Sequence, residues 1–358
     1  MMKYIHNIRV LIVDDSALVR DLLTKGLSQD PEITVIGTAP DPYLARDILV
    51  LEKPDVITLD IEMPKMDGIT FLKKYMDVIP TPTIIVSSLT ENNKKLTMDA
   101  LEAGAVDIVP KPKSGLVDAL PTMMNDLIQK VKMAATVNVS RIRTKTIDPL
   151  KINALPQYKL DDSTDRVIAI GSSTGGTEAL ARILPAFPPA TPGIVIVQHM
   201  PADFTNSLAK RLNRLSLMTV KEAENGDRVI SGQVLLAPGG MHHMKIHRYG
   251  GQYRVKIVDG EPVSSHRPSV DVLFESVASA VGKNAVAVLM TGMGKDGADG
   301  LLKIRDAGGR TFVQDEKTSV VWGMPKVGWL MGAAEAMIPL GDIPSTVLNA
   351  LNQLQKGD

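Results

Sequence analysis

Two groups of residues carry side chains whose types and spacing could do chemistry. In the first, VIAIGSSTGGTEALARIL sets Gly171, Ser173 and Gly175 as G-x-S-x-G between an apolar run and a helical pattern, the setting of a nucleophile elbow. Ser173 is the candidate nucleophile, and free amides of a helix starting near Thr177 would face a developing oxyanion. A Gly-rich turn of this kind also suits phosphate. No Lys follows Gly176, which weakens nucleotide binding, but the turn by itself leaves both readings open. A base and an orienting group would decide. Of the six histidines, His199 alone ends an apolar run, GIVIVQ, so it should emerge on the same sheet edge as the elbow. His266, in SSHRPSVD, is its rival. His242 and His243, in PGGMHHM, read as a surface turn or a substrate contact, and His6 lies in an N-terminal tail. Asp296, in the Gly-rich loop MTGMGKDG, is placed to orient an imidazole, with Asp299 as competitor.

The second group is acidic. Asp14 and Asp15 follow IRVLIV, Asp60 ends DVITLD, Ser87 lies in TIIVSSL, and Lys111 follows AVDIVP. If these runs are parallel strands of one sheet, three carboxylates, a hydroxyl and an ammonium converge at its carboxyl edge. Clustered carboxylates repel unless a hard cation neutralises them, and an oxygen-only site suits Mg²⁺. Asp60 then becomes a nucleophile for a phosphoryl group, giving an aspartyl phosphate, with Ser87 bonding a phosphoryl oxygen. Any one of these Asp residues, Asp15 for instance, could simply cap a helix; the five together are harder to explain that way.

The elements that must position these groups are visible as alternation. Between Ile8 and Pro112 five apolar, β-branched runs alternate with helical patterns such as ALVRDLLTKGLSQ and YLARDILVLEK. Continuous apolar strands between amphipathic helices predict a parallel sheet covered on both faces, a doubly wound, flavodoxin-like domain over residues 1–133. Residues 134–165 are polar, contain Pro149 and Pro156 and lack a period, which predicts a linker; its Arg141, Arg143 and Lys145 read as solvated charges. From Arg166 the runs VIAIG, GIVIVQHM, QVLLAP and AVAVLMTGMG predict a second doubly wound α/β domain over 166–358. The order Ser, His, Asp along the chain differs from the Ser, Asp, His of α/β-hydrolases.

At about 150 residues per domain, the 358-residue chain accommodates two domains and a connector. Forty basic against forty acidic residues give zero net charge, which disfavours nucleic acid as a partner and a DNA-binding output. A hydrophobic fraction of 44% supports ordinary cores rather than disorder. Without Cys, disulfides, thiolate zinc and thiol catalysis are excluded. The start shows no cleavable signal and no run reaches about 18 apolar residues, so a cytoplasmic protein without membrane insertion is expected.

DDS at 14–16, DIEMPKMDG at 60–68, VSS at 86–88 and PKP at 110–112 resemble a two-component receiver domain. The resemblance implies that Asp60 accepts phosphate from a histidine kinase and that Asp14 and Asp15 help hold Mg²⁺. Ile108 departs from it, standing where receivers usually carry an aromatic switch residue. GSSTGGTEAL at 171–180, QHMPADFT at 198–205, LAPGGMHH at 236–243, HRPSVDVLFESVA at 266–278 and MTGMGKDGADG at 290–300 resemble the catalytic domain of the CheB family. That likeness implies Ser173 as nucleophile, His199 as base and Asp296 as orienter, with an oxyanion and substrate region at Thr174 and Met293; HRPSVD and PGGMHH are expected to line the cleft mouth, where Arg267 either contacts acidic side chains of the substrate or is structural. It further implies removal of methyl esters from glutamates on chemoreceptor signalling helices, deamidation of receptor glutamines and location at chemoreceptor arrays. A receiver that covers the cleft until Asp60 is phosphorylated is a hypothesis of regulation. Two alternatives stay open at this point: a hydrolase of another ester, and an adaptor that does no chemistry.

Overall fold

The computed structural model describes residues 7–88, 90–112, 116–137, 139 and 165–356. They belong to two compact units, Met1–Thr144 and Lys145–Asp358. Most of the expected linker, with Arg141, Arg143 and Lys145, lies outside the described residues, as does His6.

The first unit alternates β1 (Ile8–Val13), α1 (Ala17–Leu27), β2 (Ile33–Ala39), α2 (Pro42–Glu52), β3 (Val56–Leu59), α3 (Gly68–Val78), β4 (Thr83–Ser88), α4 (Glu91–Glu102), β5 (Asp107–Lys111) and α5 (Leu116–Ala134). The helices start where short polar side chains satisfy free amides: Asp41 caps α2 ahead of Pro42, and Asp67 caps α3. The strands pair in parallel in the order β2-β1-β3-β4-β5, the flavodoxin-like arrangement whose switch point lies between β1 and β3. Asp14 follows β1 and Asp60 follows β3, so the topology brings the acidic residues to that crevice.

The second unit contains β6 (Val167–Ser172), α6 (Gly176–Ile183), β7 (Ile194–Gln198), α7 (Ala202–Leu215), β8 (Thr219–Glu222), β9 (Gln233–Leu236), β10 (His242–Tyr249), β11 (Gln252–Asp259) and α8 (Val270–Ala280). It continues through β12 (Ala285–Leu289), α9 (Ala298–Asp306), β13 (Arg310–Gln314), α10 (Met324–Leu330), β14 (Ala336–Ile338) and α11 (Ile343–Lys356). Seven strands make a parallel sheet in the order β14-β13-β12-β6-β7-β9-β8. From β6 the chain winds outward through β7 and then returns to add β12 on the other side. Strand β6 therefore sits at the switch point, with β7 and β12 as its two neighbours, and its core residues are fully buried. The antiparallel hairpin β10–β11 was not expected from the sequence. Instead of a surface turn, His242 and His243 open its first strand.

Candidate functional site

In the first unit, Lys111 Nζ lies 2.7 Å from both Asp60 Oδ2 and Asp14 Oδ2. Asp60 Oδ1 also accepts from the Ile61 amide at 2.8 Å. A Cβ at Gly68 would come within 2.1 Å of the Asp60 carbonyl oxygen, so the chain can return over the strand end only as glycine. Burial pushes the Asp60 carboxyl above its ordinary value; Lys111 opposes this and Asp14 adds to it. Burial weakens the Lys111 ammonium, but Asp60 and Asp14 outweigh it and the net shift is upward. One carboxylate oxygen from each of Asp14, Asp15 and Asp60 lies within 4.8 Å of the others, with Asp15 exposed. Three carboxylates against one ammonium leave two uncompensated negative charges on oxygen ligands alone, and a hard divalent cation fits that donor set. Ser87 is buried at the end of β4. Ile108 is buried in β5.

In the second unit, three strand ends supply three side chains. Ser172 of β6 pairs with Gln198 of β7, so Ser173 and His199 are the next residues out of adjacent strands. The loop after β12 brings Asp296 to the same edge. His199 Nε2 and Asp296 Oδ2 are 2.7 Å apart, while His199 Nδ1 is buried with no hydrogen-bond partner among the described residues. With Asp296 occupying Nε2, the free lone pair of a neutral imidazole is on Nδ1.

The Asp296 carboxylate is held by a fan of donors. Oδ1 accepts from the Ser269 hydroxyl at 2.7 Å and the Asp271 amide at 3.1 Å, and Oδ2 accepts from the Val270 amide at 2.7 Å. These are the cap and first turn of α8, where free amides and the helix dipole favour an anion. Burial works against ionisation, but His199, Ser269 and Val270 overcome it and hold this carboxyl well below the usual range. Asp271 behaves oppositely: burial, with Asp296 beside it, pushes it up to about 7, and its Oδ1 accepts from the Gly300 amide.

Glycines let these parts close on the serine. A Cβ at Gly292 would meet Ser173 Cβ at 2.7 Å, and Gly175 has φ +77, with Val320 where its side chain would stand. The Ser173 amide donates to the Thr291 carbonyl at 2.9 Å. Thr174 is buried, its carbonyl accepting from the Thr291 hydroxyl. Met293 is 40% exposed at the rim. Arg267 is tied to the Gly260 carbonyl and lies 3.8 Å from Met241 Sδ.

The rivals have other places. His266 stacks on His199, with ring centroids 3.8 Å apart and planes within 7°. Its Nδ1 bonds the Ser264 carbonyl. Nitrogen lone pairs lie in the ring planes, so parallel rings cannot aim both at one ion, and His199, His266 and Asp296 do not make a metal site despite their closeness. Asp299 is exposed in the first turn of α9, while Asp296 makes the hydrogen bond to the imidazole. Supporting groups were not expected from the sequence. Gln198 accepts from Ser172 and donates to the carbonyls of Ser173 and His199, and His243 Nδ1 accepts from the Ser269 amide. Ser269 alone had a signal, as a polar residue just ahead of the apolar run VDVLF.

With this geometry in hand, the comparisons with known proteins agree on both units. Residues 168–347 match the family model of the CheB methylesterase and residues 10–121 that of the response regulator receiver domain. A protein-glutamate methylesterase/protein-glutamine glutaminase of Syntrophotalea carbinolica is 52% identical over 97% of this chain and 98% of its own length. One from Sulfurimonas denitrificans is 54% identical over 97% and 99%. The crystal structure of the Thermotoga maritima CheB methylesterase catalytic domain is 39% identical with a TM-score of 0.50, covering 51% of this chain and 97% of that one. With the methylesterase family model over residues 168–347 and relatives more than 50% identical over nearly its whole length, the chain belongs to the family of CheB methylesterases.

Proposed function

We propose that the chain is a phosphorylation-regulated protein-glutamate methylesterase and protein-glutamine glutaminase in which Ser173 is the nucleophile, His199 the base and Asp296 its orienter. The observation that carries this reading is the His199–Asp296 hydrogen bond of 2.7 Å, with Nδ1 buried and unpartnered on the ring that follows the strand beside Ser173. Nδ1 takes the Ser173 proton as Oγ attacks the ester carbonyl, then returns it to the leaving methoxide. Water enters by the same route, the imidazole removing its proton, and acyl transfer to water leaves a glutamate carboxylate and a free serine. Asp296 stays ionised throughout and stabilises the imidazolium that forms twice per turnover. With a glutamine side chain the leaving group is ammonia and the tetrahedral intermediate is of the same kind. The Met293 amide makes no hydrogen bond among the described residues, which suits it to the oxyanion, and Thr174, next to the serine, lines the same region. Arg267, at the rim, contacts acidic side chains of the substrate.

In the receiver, Asp60 accepts the phosphoryl group from a histidine kinase. Asp14, Asp15 and Asp60 would hold Mg²⁺, which when bound supplies positive charge for the transferring phosphoryl oxygens. Lys111, already bridging Asp60 and Asp14, pairs with the phosphoryl group, and Ser87 donates its hydroxyl to it. The substrates are methyl-esterified glutamates on chemoreceptor helices, which places the enzyme at receptor arrays in the cytoplasm. Among the described residues no helix is long and apolar enough to cross a membrane. Methanol release from methylated receptors by the wild type and by Asp60→Asn, each with a small phosphodonor, tests the regulation: stimulation in the first and none in the second is expected, and equal stimulation refutes it.

A further inference from the structure

The hairpin β10–β11 concentrates positive charge in a chain whose net charge is zero. Residues 242–259 hold Lys245, Arg248, Arg254 and Lys256, three of the six histidines, and a single acid, Asp259. The register divides them between two faces. Met244 opposite Ile257 and Ile246 opposite Val255 turn toward the core. On the other face Lys245 stands directly opposite Lys256 and His247 opposite Arg254. A further antiparallel bridge sets exposed Arg228 against Arg254, so it joins the same face.

Five basic side chains thus share a block about 5 Å across each pairing and roughly 7 Å along the strand. Like charges directly opposite one another in a sheet are destabilising. Lys245, Lys256 and Arg228 make no ion pair among the described residues. Arg254 spends its terminal nitrogens on the Gly226 carbonyl and Gln252, and its buried Nε, like His247 Nδ1, is unpartnered. Both lysines are exposed.

The block is joined to the active site. His243 lies on the same face as Lys245 and His247, two residues before the first. Its Nδ1 accepts from the Ser269 amide, and the Ser269 hydroxyl holds Asp296. The charged face therefore runs outward from the catalytic carboxylate.

We propose that this face is a docking surface for an acidic helix, the segment of the substrate protein that continues beyond the glutamate in the active site. The proposal rests on the function proposed above and deepens it. Lys245 and His247 stand about 7 and 13 Å along the strand from His243. A helix rises 1.5 Å per residue, so carboxylates roughly one to three turns beyond the reacting glutamate come opposite the block. Hydrolysis itself produces glutamates, so a processed substrate becomes more complementary to this surface as its sites are converted.

The test uses the full chain and a soluble, methyl-esterified chemoreceptor signalling fragment. In the double variant Lys245→Gln, Lys256→Gln both changes fall on exposed residues without partners, and a thermal melt checks the fold. KM for the fragment should rise about tenfold, kcat should stay within about twofold, and the dependence of kcat/KM on salt should flatten. Removing two charges elsewhere, with Lys73→Gln and Lys210→Gln, should leave KM and the salt dependence as in the wild type. An unchanged KM and salt dependence in the Lys245, Lys256 variant overturns the proposal while the wild type still releases methanol; a wild type that releases none overturns the underlying function instead. Phosphatidylglycerol vesicles without receptor, with phosphatidylcholine as control, provide the last arm. Retention that the variant loses, with its KM for the fragment unchanged, would assign the face to lipid and overturn the proposal.

Discussion

Replacing Asp296 by Asn removes one charge from the centre of the site, and the surrounding donors say how the amide must lie. An amide nitrogen in the Oδ2 position would face the Val270 N–H at 2.7 Å and the His199 Nε2–H. In the Oδ1 position it meets the Ser269 hydroxyl, which can rotate to accept, and the more distant Asp271 amide at 3.1 Å. The second orientation wins, so Asn keeps its oxygen on Nε2–H and preserves the tautomer. What is lost is the negative charge that stabilises the imidazolium. At about 4 Å and an effective dielectric near 20, a unit charge pair is worth about 4 kcal/mol. At 1.36 kcal/mol per tenfold, kcat should fall about a thousandfold. The Asp271 N–H left facing an amide costs stability of about 1–3 kcal/mol. Single-turnover methanol release, alongside a thermal melt, measures both. A fall in kcat of less than tenfold in a folded variant would refute the assignment of Asp296.

Gly292→Ala would push a methyl group to 2.7 Å from Ser173 Cβ and 2.3 Å from Met324 Sδ; the serine must shift, and kcat should drop at least about a hundredfold in a protein whose far-ultraviolet circular dichroism is unchanged. Asp60 titrates above its unfolded value, so its contribution to stability is present below about pH 4 and lost as pH rises through the folded pKa. Asp60→Asn should accordingly melt higher than the wild type in EDTA at neutral pH. Mg²⁺ at about a hundred times its Kd should stabilise the wild type by about 2.7 kcal/mol and the variant far less; a variant that melts lower, or gains as much from Mg²⁺, contradicts this. The raised Asp271 has the same sign in the other unit, its contribution falling away as pH climbs from about 4 through about 7. Urea midpoints of the wild type should therefore decline relative to Asp271→Asn over that window, and parallel curves would count against a neutral Asp271.

The fold was legible where strands are buried on both faces. IVIVQ and AVAVL are continuous apolar runs because helices cover both sides of the sheet, and their last residues fixed where chemistry could occur. Strand β14 escaped notice because it is a three-residue edge strand with Met337 41% exposed. The hairpin escaped because its solvent face is basic, although the Gly250–Gly251 pair between alternating residues was a turn signal. The strand ends pointed to Ser173 and His199 as candidates, and the Gly-rich loop after β12 to Asp296, with His266 and Asp299 as open rivals. Gln198, Ser269, Asp271 and His243 could not be picked this way, since their roles depend on contacts among segments far apart in the chain, such as Ser269 with Asp296 and Gln198 with the Ser173 carbonyl. The choice between His199 and His266 likewise needed geometry: one ring bonds the carboxylate and the other lies flat upon it.

The central claim joins a serine esterase to a phosphorylated receiver in one chain. Its most direct test is methanol release from methylated chemoreceptor membranes by the wild type and Ser173→Ala, each with and without Mg²⁺ plus a small phosphodonor. The account predicts release by the wild type, stimulated by the phosphodonor with Mg²⁺ and abolished in Ser173→Ala under every condition; release that persists in Ser173→Ala, or a wild type that releases no methanol, would contradict it.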